Sequence, residues 1–338
     1  MKAARPDLLL PLVESFFRQY LESVRGASAD TLRAYRDTLR MFFEFLASRR
    51  RGYLDRLSLE EMTVEQVMRF LDHLETARHN QATTRNCRLA ALRCFCRHLL
   101  RQDPARAGQY QRILALPAKR TRVEPPDYLE PEEVNSVLRQ IQPDTAYGLR
   151  DRTLVLFLYN TGARIGEALQ VRWRDLQLQI PRQVRVHGKG GKDRLCPLWT
   201  DTARLLRQLQ NRCPSPVEGF VFLNARGQPL TRDGVAYRLQ RHFKLAQGGQ
   251  PESRHRKLTP HMLRHSCAVA LLQAGLDLTV IRDYLGHSSI ATTGRYLQTN
   301  LEMKRQTLEA FWKRAGLEPV RTRPWRPNSK MLAFLQSL

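Results

Sequence analysis

Between Thr259 and Tyr296 the sequence reads TPHMLRHSCAVALLQAGLDLTVIRDYLGHSSIATTGRYL. Side chains that can hold phosphate charge and move protons recur along it. His261 and Arg264 are three positions apart, so they share one face of any helix containing both. The forked guanidinium of Arg264 can grip a phosphate through two parallel hydrogen bonds, and an imidazole titrates close enough to neutrality to exchange a proton. Thr259 is a natural N-cap and Pro260 a natural first helical residue, so a helix opening here offers unpaired N–H groups and a positive dipole end to an anion. His287 follows Gly286 directly, and Tyr296 comes nine positions later. A phenol becomes a nucleophile once its proton is taken. His261 and His265 are spaced as a metal pair, but the first lacks the following Glu of HExxH, and Arg264 between them would repel a cation.

Two upstream stretches carry related chemistry. In TGARIGEAL, Arg164 follows a strongly apolar helical run and a turn at Gly162. A guanidinium beside such a run needs an anionic partner, because a buried unpaired charge is costly. Glu167 is one candidate and a bound phosphate the other. In VRVHGKGGKDRLCPL, alternating apolar residues flank a glycine-rich turn that carries Lys189 and Lys192 at a β-hairpin tip. This turn is not a nucleotide-binding P-loop: GxxxxGK[ST] is missing, and it joins strand to strand.

Taken together, HMLRH, LGHSS and Tyr296, preceded by TGARIGEAL and the lysine hairpin, resemble the tyrosine recombinase, or phage integrase, family. The motifs span most of residues 130–315. The resemblance implies a site-specific DNA recombinase that needs no cofactor, metal or ATP. In it Arg164, Arg264 and His287 hold the phosphate, His261 helps deprotonate Tyr296, Lys189 protonates the departing 5′-oxygen, and Tyr296 forms a 3′-phosphotyrosyl link. Both Lys189 and Lys192 lie in the turn; the family pattern favours the first. Preorganised cations at the non-bridging oxygens would supply most of the catalysis, and arginine suits that task because it stays charged and forked. Two other readings use part of the same set: relaxation of DNA as by a type IB topoisomerase, and a non-catalytic architectural DNA-binding role.

The rest of the chain must position these groups. Its 338 residues suggest two domains, and 56 Lys and Arg against 32 Asp and Glu leave a net charge of +24. That excess calls for a polyanionic partner. No long apolar span or lipidation motif points to a membrane. Six scattered cysteines without CxxC pairs fit a reducing, bacterial cytoplasmic location, close to the nucleoid. Cys94, Cys96 and His98 are close in sequence, yet neighbours two apart on a helix face different ways and make a poor zinc site.

The expected fold is mainly α with a small β-sheet (α+β). Residues 1–115 form a helical core-binding domain, SAM-like by the resemblance, and 116–130 a basic, Pro-rich linker. Residues 131–316 form the catalytic domain and 317–338 a connector with a docking helix. The first domain reads as four amphipathic helices, over about 7–24, 29–48, from a Thr63 cap, and from a cap at Thr83 or Thr84. Their aromatic stripes read as core. In the second domain Glu132 and Glu133 open a helix, residues 200–212 are helical, 220–223 a short strand, and Thr231 caps a further helix. Candidate DNA contacts are Arg33, Arg36, Arg85, Lys119, Arg120, Arg122, Arg254, Arg256 and Lys257. Gly294, two positions before the expected nucleophile, weakens any helix bearing Tyr296. The family resemblance further implies a double-stranded DNA recombination site, a tetrameric synapse, exchange of the C-terminal helix between protomers, and partner recombinases as candidate members of that synapse.

Overall fold

Local sequence signals place most of the elements. The Thr63 hydroxyl accepts the Gln66 backbone N–H at 3.2 Å, which opens α3 (Val64–Thr76). In a computed structural model, which describes residues 9–50, 57–121, 126–188, 191–247 and 257–286, the chain forms two compact units, Met1–Val123 and Glu124–Leu338.

In the first unit α1 (Leu9–Ser15) runs into the wide turns of Phe16–Val24, where the Arg25 N–H reaches back five residues to the Tyr20 carbonyl at 3.0 Å. α2 (Ala29–Arg50), α3, α4 (Ala82–Gln102) and α5 (Ala107–Ala115) complete it. The aromatic stripes meet inside: Phe16 packs edge-on against Phe95 at 5.1 Å, and Phe42 against Phe70 at 5.2 Å. All four rings are buried, as are Cys94, Cys96 and His98.

Two details depart from the sequence reading. α4 starts at Ala82, so Thr83 and Thr84 are helical residues and Gln81 takes the cap position without a side-chain bond. α5 was not expected, because a nine-residue segment with two deep anchors, Tyr110 and Ile113, gives too little periodicity to read. Gln109 fixes it from the side, donating to the carbonyls of Leu59 and Met62 at 2.9 and 2.8 Å.

In the second unit Glu130 precedes α6 (Pro131–Gln140), and the Glu133 carboxylate accepts the Glu130 N–H at 2.9 Å. α7 (Ala146–Thr161) is buried on nearly every side and ends at Gly162, whose φ of +57° is the left-handed C-cap that glycine adopts without strain. A single turn, α8 (Ile165–Ala168), follows. β1 (Leu176–Gln177), β2 (Gln183–His187) and β3 (Asp193–Pro197) form an antiparallel sheet in that order. Val184, Val186 and Cys196 point from it into the core. α9 (Thr200–Arg212) packs on α7, and α10 (Arg232–Ala246) is capped by Thr231.

The segment at 220–223 makes only isolated bridges, Arg172 with Phe220 and Leu223 with Pro229, and no continuous strand. It lacks a neighbour that runs beside it for more than one residue. α11 (Pro260–Gln273) is capped by Thr259, and α12 (Leu278–Leu285) ends at Gly286, φ +65°. Among the described residues no helix is long and apolar enough to cross a membrane.

Gly162 meets a second constraint: an added Cβ would lie 2.3 Å from Leu285 Cδ2. Gly162→Ala should therefore cost about 3 kcal/mol or more, from the left-handed backbone and from overpacking together. Gly227 has the same backbone hand, φ +70°, in open space, so Gly227→Ala serves as the control. Urea unfolding of the two variants should separate them by roughly 2 kcal/mol.

Candidate active site

Arg264 stands one turn inside α11 on the face that packs against α7 and α12. Its side chain is buried, at 2% exposure. Nη1 donates to the Gly162 carbonyl and Nη2 to the Leu285 carbonyl, each at 2.6 Å. These oxygens close α7 and α12, where the negative ends of two helix dipoles favour a cation. One guanidinium thus ties together the turn before Arg164 and the turn before His287.

Arg164 lies directly after the first of these turns. The Glu167 carboxylate accepts its backbone N–H at 2.9 Å and its Nη1 at 2.7 Å, and Nη2 reaches the Gly286 carbonyl at 3.3 Å. Both partners considered from sequence bear on this residue: the carboxylate is there, and 39% of the Arg164 side chain still faces solvent. Glu167 also accepts Nη2 of Arg194 at 2.8 Å. Burial raises the pKa of Glu167, but the hydrogen bond and charge of Arg194, then the backbone and side-chain hydrogen bonds of Arg164, more than offset it and hold the carboxyl below its usual range.

His261 occupies the exposed first turn of α11, and its ring stacks on His265 at 6.1 Å. Partial desolvation, followed by the charges of Arg264 and then Arg164, pushes its pKa below the ordinary histidine value. The ring is therefore neutral at pH 7 and able to accept a proton. Tyr284, by contrast, is no nucleophile: its hydroxyl donates to the Asn160 carbonyl at 2.7 Å, and burial raises its pKa far out of reach.

Lys189, His287 and Tyr296 lie outside the described residues, as does Gly294. Their flanks are well placed. The Gly188 N–H donates to the Lys192 carbonyl at 3.0 Å, which closes the hairpin just before Lys189. Lys192 itself is exposed. Below the tip, His187 bridges two carboxylates, Nδ1 with Asp193 at 2.9 Å and Nε2 with Asp175 at 3.2 Å. The hydrogen bonds to Asp193 and then Asp175 raise its pKa.

The candidate DNA contacts divide. Arg33 and Arg36 are exposed on α2, beside Asp30 and Asp37. Arg120 and Lys257 are exposed too. Arg85 corrects the sequence reading: it is 8% exposed and its Nε lies 3.3 Å from Glu75, so its charge is answered inside the helical unit. Lys119 shares that carboxylate at 2.6 Å but keeps half its side chain in solvent. Arg122, Arg254, Arg256 and the connector at 317–338 fall outside the described residues.

Sequence reasoning passed over Arg194, His187 and Asp175. For Arg194 a signal existed: strand alternation puts it on the same face as buried Cys196, a charged residue where an apolar one belongs.

Residues 127–303 match the model of the phage integrase family, and residues 13–103 that of the phage integrase N-terminal SAM-like domain. The chain belongs to the phage integrase family. It is 36% identical over 330 residues to the integrase/recombinase y4rC of Sinorhizobium fredii, spanning 98% of either chain. With the tyrosine recombinase XerC of Pelobacter propionicus it shares 32% identity over 295 residues, 86% of this chain and 93% of that one. A solved structure of the XerH site-specific recombinase bound to a palindromic difH substrate superposes with a TM-score of 0.67, at 23% identity over 86% of this chain and 82% of the other, a likeness of fold. The family's activity, breaking and rejoining DNA strands at specific sites, is the activity of this tyrosine recombinase.

Because Arg164 helps to depress the His261 pKa, Arg164→Gln should raise it. An NMR titration of the His261 ring should give a midpoint below 6.5 in the unaltered protein and a higher one in the variant. Equal midpoints would remove Arg164 from the electrostatics of His261.

Proposed function

We propose that this recombinase cuts one DNA strand at a time through attack of Tyr296 on the scissile phosphate, giving a 3′-phosphotyrosyl link. Arg164, Arg264 and His287 hold the non-bridging oxygens. His261 takes the phenolic proton directly or through one water, and Lys189 protonates the departing 5′-oxygen. Religation reverses these steps with a different 5′-hydroxyl, so the bond energy is kept and no ATP is consumed. The observation that carries this reading is the pairing of adjacent carbonyls by two guanidiniums: Arg264 on Leu285 and Arg164 on Gly286, immediately before His287.

Supporting features act at longer range. A net charge of +24 gives the chain a strong pull on duplex DNA, and binding should weaken steeply with salt. Arg33, Arg36, Arg120 and Lys257 are exposed where they can meet phosphates. Strand exchange requires two duplexes and four active sites, hence a tetrameric synapse. The apolar ending MLAFLQSL suits a helix passed to a neighbouring protomer. The domain limits follow the same plan, with helical DNA clamp 1–115, linker 116–130, catalytic domain 131–316 and connector 317–338. A cytoplasmic, nucleoid-associated location suits such a substrate.

The test starts from a duplex library with a randomised central segment, from which the protein selects its site. A nicked suicide duplex carrying that site should yield a covalent adduct in denaturing electrophoresis, in the presence of excess EDTA. Tyr296→Phe should bind the same duplex with unchanged affinity and form no adduct. An adduct with the variant would remove Tyr296 from its role, and an EDTA-sensitive adduct would point to metal-assisted chemistry.

A further inference from the structure

Arg194 lies outside the set of groups that would touch the scissile phosphate, yet three parts of the site meet on it. It is rooted on β3, two residues beyond Lys192, and its side chain points inward with 10% exposure. Nη2 donates to Glu167 Oε2 at 2.8 Å, the same oxygen that accepts the Arg164 N–H. Its guanidinium also lies along the Gly286 turn. A Cβ on Gly286 would stand 3.0 Å from Nη1, 3.4 Å from Cδ and 3.5 Å from Cζ of Arg194. One side chain therefore joins the return strand of the lysine hairpin, the carboxylate partner of Arg164, and the residue before His287.

The consequence follows from the charges. Glu167 is 8% exposed and ionised, and a buried carboxylate draws in whatever cation is near. With Arg194 in place, Oε2 is occupied and Arg164 engages Oε1 through one terminal nitrogen. Without it, Glu167 would face Arg164 alone. The strongest geometry left to that pair is the bidentate fork, which turns both guanidinium nitrogens towards the carboxylate and away from a phosphate. We infer that Arg194 is a positioning residue for strand cleavage: by sharing Glu167 it keeps Arg164 turned towards the scissile phosphate, and by lying along Gly286 it fixes the turn that delivers His287.

This inference rests on the phosphate-clamp reading of Arg164, and the experiment separates the two. Single-turnover cleavage of the selected suicide duplex is measured for Arg194→Met, Arg164→Met and the double variant, alongside DNA affinity and thermal unfolding. Arg194→Met should slow cleavage by roughly tenfold or more with affinity changed less than about threefold, and in the Arg164→Met background it should slow cleavage by less than about twofold further.

Arg194→Lys keeps the charge on Glu167 without the flat group on Gly286, and should recover cleavage to within roughly fivefold of the unaltered protein. If Arg194→Met does not fold, the cycle is run with Arg194→Lys, whose smaller defect should likewise vanish beside Arg164→Met. Defects that multiply in the double variant, or cleavage at the unaltered rate by the Arg194 variant, would overturn the positioning role. A full cleavage rate for Arg164→Met itself would overturn the clamp reading, and the inference with it.

Discussion

The catalytic unit depends on one buried cation between two helix ends. Arg264 gives one terminal nitrogen to the Gly162 carbonyl and the other to the Leu285 carbonyl, so α7 and α12 stop where its fork can reach them. Both helices close on a left-handed glycine, and each glycine leads within two residues to a proposed phosphate ligand, Arg164 or His287. Without Arg264 the two carbonyls would be left unanswered in an apolar setting, a cost on the order of 1–3 kcal/mol each. Packing, capping and site geometry thus share a single side chain.

Around that tie the charges are arranged in layers. Glu167 is held by two arginines and stays ionised despite burial; Arg164 reaches solvent from one side of it, and Arg194 backs it from the other. His261 sits at the outer edge, kept neutral by desolvation and the two neighbouring cations. An accumulation of positive charge therefore suits both proposed jobs in one place, drawing a phosphate in and keeping an imidazole neutral.

Much of this was legible in the sequence because it depends on local rules. Thr259–Pro260 opens α11, Gly162 and Gly286 end their helices, the Thr231 cap starts α10, and the alternation around HGKGGKDR gives a hairpin. Each of these signals spans a few residues. What escaped depends on tertiary partners. Arg85 has the look of a surface arginine on a basic helix until Glu75 of α3 is set beside it. α5 is held by Gln109 through carbonyls 47 and 50 residues away. Arg194 follows the tip lysines closely and looks like one more exposed cation of the hairpin; only the inward face of its strand, shared with Cys196, sets it apart. The 220–223 segment reads as a short strand in the sequence, but pairing is a property of two segments and its neighbours offer single bridges.

His187 adds a consequence of another kind. It stands between Asp175 and Asp193 at the foot of the lysine hairpin, and these carboxylates lift its affinity for a proton. Whether that proton is present decides if the foot, one imidazole with two acids, carries one negative charge or two. A polyanion approaching the tip senses the sum. Proton uptake at His187 and the holding of any anion beside it are then thermodynamically linked, each strengthening the other by the same factor.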